Sequence, residues 1–265
     1  MRAPAETTSK RNPFSIASKK RSNQISDRVF VAGTHAVGDR IKIEGGDARK
    51  LITVLRRRTG DRIEVIDSAA QRFEAMIEVD RKSVVATLEN RVAGADEAAA
   101  FSVSVAQAIP KGQKMDFVVE KLTELGAYEI LPFYCERTVP RRSEGGRHER
   151  WERLAASAAR QSGRSRIPAV VAPHDFDTIL ERFNGYDRVL FLWELAEQQP
   201  LHDRLPRLLK GARSILVVVG PEGGFSSEEA TLAQQRGAHL ISIGRRIVRT
   251  ETAALVMLAI LNYLA

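Results

Sequence analysis

Residues 214–229 read SILVVVGPEGGFSSEE, and the fold class turns on this run. Its first six residues are strongly β-branched, which predicts a strand over 214–219. Ser226 followed by Glu229 is a capping box, so a helix opens soon after that strand ends. Between the two stand Gly220, Pro221, Glu222, Gly223 and Gly224. Ligands of open α/β sheets bind at the carboxyl ends of strands, where glycines let backbone amides approach them closely. A tight structural turn would use similar residues; a proline and an acid among the three glycines favour a binding loop. Walker spacing with its lysine is absent, as is G-x-G-x-x-G, which disfavours a phosphate cradle and a dinucleotide fold.

Outward from this run the same rhythm continues. Residues 102–109 are β-like, and Met115, Val118, Val119, Leu122 and Leu125 form a helical stripe stopped by Gly126. Strands follow at 129–134, 188–193 and, after Gly237, 239–243; helices follow at 148–161, at 200–210 and, after a loop, up to the carboxyl terminus. Such alternation predicts an α/β domain, a mainly parallel sheet with helices on both faces, over residues 101–265. Residues 28–92 differ. Short β-type runs at 29–31, 40–43, 62–66, 73–79 and 83–88 surround one helix at 47–58, whose Ala48, Leu51, Ile52 and Leu55 share a face. This is a small β-rich module, joined to the α/β domain by an Ala-rich linker at 93–100.

Composition narrows the chemistry. The 265 residues carry 41 Lys and Arg against 33 Asp and Glu, a net charge of +8, and the 43% hydrophobic content is that of a globular protein. Seven bases and two acids fall in the first 28 residues, so most of the excess sits there, and residues 1–27 are a basic tail expected to be disordered and drawn to polyanions. An inert start or a transit peptide are the other readings of that tail. The single cysteine, Cys135, excludes an internal disulfide and a multi-cysteine zinc site. His174, His202 and His239 lack metal-ligand spacing and no G-x-S-x-G elbow occurs, so no metal and no serine hydrolase chemistry is expected. The longest apolar stretch, 252–265, is interrupted by Asn262 and is shorter than the roughly 20 residues a membrane span needs. No membrane association and a cytoplasmic location are therefore expected.

Three further clusters are candidates. Gly244, Arg245, Arg246, Ile247, Val248, Arg249, Thr250, Glu251 and Thr252 follow the strand at 239–243. Thr250 is placed to cap the last helix and Glu251 suits its positive end, while three arginines suit an anionic substrate or a developing negative charge. Arg160, Gln161, Ser162, Arg164 and Arg166 gather at a helix end, where cations are favourable in any case. Lys111, Lys114 and Lys121 surround an amphipathic helix, and Arg49, Lys50, Arg56, Arg57 and Arg58 make a local positive face on the β-rich module. The lysines read ordinarily as the solvated face of that helix, while the positive face of the β-rich module reads equally as a solvated face or an RNA phosphate contact.

Four segments together carry a resemblance: KMDFVVEKLTELG at 114–126, AARQSGRSRIP at 158–168, GPEGGFSSEE at 220–229 and IGRRIVRTETAA at 243–254. In order and spacing they resemble the RsmE family of SPOUT-superfamily ribosomal RNA methyltransferases, over about residues 28–265. The resemblance implies S-adenosyl-L-methionine as cofactor and methylation of N3 of a uridine in 16S ribosomal RNA of the small subunit. It implies a C-terminal α/β knot, a deep trefoil, an N-terminal PUA-like β-barrel and a homodimer. Carried onto this chain, the cofactor loops are Leu192, Trp193 and Glu194; Gly220 to Gly224 with Pro221 and Glu222; and Ile243, Gly244, Arg245, Ile247, Val248, Arg249 and Thr252. Arg249 is expected to stabilise charge on the uracil carbonyls, Glu251 to orient it or help remove the N3 proton, and Arg160 of a partner subunit to anchor a phosphate. Arg49, Arg56, Arg57, Lys114 and Arg164 are the expected RNA contacts. One departure is visible: Asp47, Ala48, Arg49 and Lys50 precede Leu55 and Arg56 where relatives often carry a histidine. A SPOUT methyltransferase for transfer RNA or another ribosomal nucleotide, and a non-catalytic RNA-binding or assembly protein, remain as alternatives.

Overall fold

The computed structural model describes residues 28–92, 100–139, 146–196 and 200–265, arranged on two sheets. The basic tail and nearly all of the linker named above lie outside the described residues.

In the amino-terminal part, β1 (Arg28–Phe30), β2 (Arg40–Ile43), β3 (Arg62–Ile66), β4 (Arg72–Val79) and β5 (Val84–Arg91) pair in the order β1-β3-β4-β5-β2. β3, β4 and β5 form an antiparallel meander, β2 runs antiparallel to β5, and β1 lies parallel to β3. Alternate residues point inward: Ile63 and Val65, then Phe73, Ala75 and Ile77, then Val84, Ala86 and Leu88 close on Ala48 and Leu51. The helix expected at 47–58 is shorter. α1 (Gly45–Arg49) widens into a π-helical turn at Lys50–Val54, where the Leu55 N–H reaches the Lys50 carbonyl at 2.9 Å. Three β-branched residues in a row, Ile52, Thr53 and Val54, crowd a regular helix, and Arg56 then leaves it at a positive φ of 53°.

The second sheet comprises β6 (Ser102–Ala108), β7 (Glu129–Tyr134), β8 (Ala169–Val170), β9 (His174–Asp175), β10 (Arg188–Leu192), β11 (Ser214–Val219) and β12 (His239–Ile241). Their order is β12-β10-β11-β6-β7-β8 with β9 also on β7, and every pairing is parallel. Helices cover both faces: α2 (Lys114–Glu124), α3 (Arg147–Ser162), α5 (Leu201–Leu208) and α7 (Thr250–Leu264) on one, α4 (Phe176–Glu181) and α6 (Ser227–Gln235) on the other. β11 explains why its sequence does not alternate. Ile215, Val217 and Val219 enter the first core while Leu216 and Val218 enter the second, so both sides of the strand are dry. Burying each such side chain is worth about 1.5–3 kcal/mol.

Residues 169–187 carried no expectation, yet they form β8, β9 and α4. Phe176, Ile179, Leu180 and Phe183 recur at helical spacing and all four are buried, a signal present in the sequence. The two parts of the chain touch through α3. Arg28 pairs with Glu64 at 2.6 Å and donates to the Arg164 carbonyl at 3.3 Å, and Arg160 lies 3.8 Å from Asp47 of α1. Among the described residues no helix is long and apolar enough to cross a membrane, and no group of side chains is arranged to hold a metal ion.

Candidate functional site

β12, β10 and β11 are neighbours and parallel, so their carboxyl ends open on one edge of the sheet. The loops that leave them, 192–195, 219–225 and 241–250, line a single pocket of about 670 Å³. That volume is in the range of small-molecule sites. The Trp193 N–H donates to the Ile241 carbonyl at 2.9 Å and joins the first loop to the third.

The glycine turn is shaped from below and from the side. Phe225 packs against Phe191 with ring centroids 4.1 Å apart, and a Cβ on Gly220 would lie 3.0 Å from two carbons of the Phe225 ring. Gly224 has a φ of +67°, and a Cβ there would come within 2.7 Å of a Glu194 carboxylate oxygen. Arg137, in the loop after β7, donates from one guanidinium nitrogen to the Gly223 carbonyl at 3.1 Å and the Phe225 carbonyl at 3.4 Å. The capping box is complete: Ser226 Oγ accepts from the Glu229 N–H, and Glu229 accepts from the Ser226 N–H. The other Glu229 oxygen accepts from the Glu136 N–H at 2.9 Å, so the same carboxylate also fixes the loop after β7.

Thr250 does not cap the last helix. Arg249 holds the N-cap position in extended conformation, and Thr250 lies one residue into α7. Its buried hydroxyl donates to the Gly220 carbonyl and accepts from Gln107 Nε2 at 2.8 Å. The glycine turn is thus tied to the start of α7 rather than α7 to its own first turn. Glu222, at the pocket's edge, accepts from the Lys111 N–H at 3.1 Å and from Lys114 Nζ at 3.0 Å. Partial burial opposes its ionisation, but its own backbone N–H and these two donors outweigh it and hold the carboxyl below the usual range.

Comparison with known proteins places this architecture. The family described as "RNA methyltransferase domain" matches residues 97–262. The Bacillus subtilis protein named "Ribosomal RNA small subunit methyltransferase E" is 31% identical over 229 residues, 83% of this chain and 89% of that protein. The chain belongs to the ribosomal RNA small subunit methyltransferase E family. The Synechocystis member is 31% identical over 89% of this chain and 77% of its own length. A solved methyltransferase E structure from Neisseria gonorrhoeae, described as bound to S-adenosyl methionine, superposes with a TM-score of 0.80 at 27% identity, covering 90% of this chain and 98% of that one. A Legionella pneumophila structure, described as a putative methyltransferase with bound cofactor SAM, gives 0.77 at 26% identity over 90% and 98%.

In this methyltransferase E chain the expected site residues do not all converge. Leu192, Trp193, Glu194, Gly220 to Gly224, Ile243, Gly244, Arg245, Ile247, Val248 and Arg249 line the pocket; Thr252 does not, and is exposed. Ile247, expected in a cofactor loop, is 92% exposed at the mouth, and the buried walls are Leu192, Val219, Pro221, Ile241 and Ala253. Arg245, Arg246 and Arg249 are exposed, and none makes a side-chain hydrogen bond or ion pair with another described residue. Glu251 is not among the residues that line the pocket, and its carboxylate lies 3.7 Å from Lys114 Nζ. Arg160 is not part of the pocket and pairs with Asp47.

Arg164 is corrected. Expected at RNA, it is buried at 6% exposure and donates to the carbonyls of Thr123 at 3.2 Å and Ala127 at 2.8 Å, closing the end of α2. Its charge is used on carbonyls at and just after the end of a helix, of which that of Thr123 also accepts from the Gly126 N–H at 3.1 Å. Arg49 and Arg56 are exposed on the amino-terminal part, and Arg57 lies 3.8 Å from Asp61. The sequence reading missed Arg137, Gln107 and the second role of Glu229. Only the chain's return from distant positions brings these groups to the glycine turn, and no local pattern announces that.

Proposed function

We propose that this chain binds S-adenosyl-L-methionine in the pocket at the ends of β10, β11 and β12 and methylates N3 of a uridine in 16S ribosomal RNA of the small subunit. The observation that carries the reading is the convergence of three loops, from three parallel strands, on one pocket in a methyltransferase E chain. The residues present suit that cofactor. Leu192, Pro221, Ile241 and Ala253 offer apolar walls to an adenine ring, and Gly220, Gly223 and Gly224 leave main-chain groups accessible. The cofactor supplies a methyl group already activated by its sulfonium, so the protein's part is mostly positioning.

This chain's own residues then handle the base. The uracil N3 proton must leave as negative charge spreads toward O2 and O4. Arg249, without an ion-pair partner among the described residues and lining the pocket, stabilises that charge. Glu251, in the first turn of α7, accepts the proton. Arg245, Arg246, Arg49 and Arg56 meet RNA phosphates, and Arg160 anchors a phosphate of the strand held by a partner subunit of a homodimer. The fold reading goes with it: residues 28–92 are a PUA-like barrel, and the loops of the α/β part form a deep trefoil knot. The enzyme works in the cytoplasm, where its substrate is made.

Two measurements test this. Calorimetry with S-adenosyl-L-methionine should show one site per chain, and mass spectrometry of ribosomal RNA from cells lacking and regaining the protein should show a 3-methyluridine that disappears and returns. RNA binding with no heat from the cofactor would favour a non-catalytic RNA-binding protein, and a changed nucleotide elsewhere would reassign the target.

A further inference from the structure

The structure sets two carboxylates around one ammonium. Glu222 comes from the glycine turn and Glu251 from the first turn of α7, and Lys114 at the start of α2 lies 3.0 Å from the first and 3.7 Å from the second. The two acids are not equivalent. Glu222 has the Lys111 N–H as well as Lys114. Glu251 has the long contact alone; its side chain is 13% exposed, and its Oε2 is buried without a hydrogen-bond partner among the described residues. A nearly buried carboxylate in this state has unused acceptor capacity.

We infer that Lys114 is a positioning residue for methyl transfer: it ties the glycine turn to α7 and holds the Glu251 carboxylate in place to take the uracil N3 proton. The inference rests on the proposed function above, in which Glu251 is the proton acceptor. In that step the N3–H bond breaks, the proton moves to the Glu251 carboxylate, and the electron pair stays on N3 for the attack. Lys114 gives up no proton and touches no reacting atom.

The charged groups facing Glu251 are few. Lys114 approaches it from α2, and Glu222 shares that lysine from the glycine turn. Arg249 precedes it by two residues, with no ion pair to another described residue. Removing the ammonium leaves two carboxylates without the cation between them, and neighbouring like charges disfavour the doubly ionised pair. Lys114 does not line the pocket, so the walls for the cofactor stay in place.

The test compares Lys114→Met and Lys114→Arg with the wild type on small ribosomal subunits lacking the modification. For Lys114→Met, kcat at neutral pH should fall about 10- to 100-fold, within the range for losing assistance to proton transfer. The acid limb of its kcat–pH profile should move up by about one unit or more, while the calorimetric Kd for S-adenosyl-L-methionine stays within about threefold. Lys114→Arg keeps the charge and should restore the limb to its wild-type position, and this variant carries the test should the methionine variant not fold. An unmoved limb in Lys114→Met, or a displaced one in Lys114→Arg, overturns the inference. So does a loss confined to KM for the subunit, which would make Lys114 a phosphate contact, or a loss of cofactor affinity as large as the loss of kcat. A wild type that neither binds the cofactor nor methylates would instead sink the proposed function, independently of any variant.

Discussion

The hydroxyl of Thr250 donates to the carbonyl oxygen of Gly220, across 30 residues of chain. Gln107 Nε2, from β6, completes the arrangement by donating to the same hydroxyl, so a strand, a turn and a helix meet at one buried oxygen. Replacing Thr250 by Val keeps the shape and removes the bond. Leaving a buried carbonyl and amide without that partner costs about 1–3 kcal/mol. Thr250→Val should therefore melt lower and bind S-adenosyl-L-methionine about tenfold more weakly, the equivalent of about 1.4 kcal/mol. Thr250→Ser should recover most of both. Equal affinity in the valine variant would show that the pocket does not depend on this tie.

Two glycines in the same turn should respond differently. At Gly220 an added methyl meets the Phe225 ring at 3.0 Å, and that ring is locked against Phe191, Phe133 and Phe176. Gly220→Ala should cost about 1–3 kcal/mol by overpacking, visible as a drop of several degrees in melting temperature. At Gly224 the close neighbour is the end of the exposed Glu194 side chain, which can swing aside, leaving only the strain of a positive φ. Gly224→Ala should cost about 1 kcal/mol. A reversed order of melting temperatures would contradict this account of the turn.

Arg249 is the arginine at the N-cap of α7 that lines the pocket. Arg249→Ala should lower kcat about 100-fold or more, as loss of a charge-stabilising donor does elsewhere. Cofactor affinity, measured in parallel, should change little. Turnover equal to the wild type would remove Arg249 from the chemistry.

Cys135 should be inert in the folded enzyme. Burial pushes its thiol up to about 11, the Thr138 hydroxyl opposes this and the Glu229 carboxylate adds to it. At pH 8 about one thiol in a thousand is then ionised, and only the thiolate reacts with iodoacetamide. Alkylation should be slow until the chain is unfolded in denaturant, when the rate should rise at least about fiftyfold as the thiol returns toward its ordinary value. Reaction at the rate of a free cysteine in the native protein would show that the loop after β7 opens readily.

Strands buried on both faces, such as β11, and helices with one apolar stripe, such as α2, were legible because their periodicity is local. The capping box at Ser226 and Glu229 was legible for the same reason. Thr250 shows the limit. As a threonine before an apolar run it has the features of a cap, but a carbonyl from another loop competes for its hydroxyl and wins. Arg164 shows it again, since a basic residue at a helix end looks available to RNA until it is seen buried and bonded to carbonyls at the end of α2. In the amino-terminal part, Ile52, Thr53 and Val54 carried the warning that the helix would be cut short, and the apolar stripe at Leu51 and Leu55 outweighed it.

Residue order along the chain was enough to specify a doubly covered parallel sheet, a glycine turn at a strand end and the family to which they belong. These properties follow from side-chain period, backbone permissiveness and motif spacing, all of which act over a few residues. The partners of that turn were settled only by folding. Lys114 and Arg137 come from about a hundred residues before it and Thr250 from 30 after it. Which donor reaches which acceptor depends on how strands and helices pack, and packing energy is summed over the whole core rather than written in any one segment.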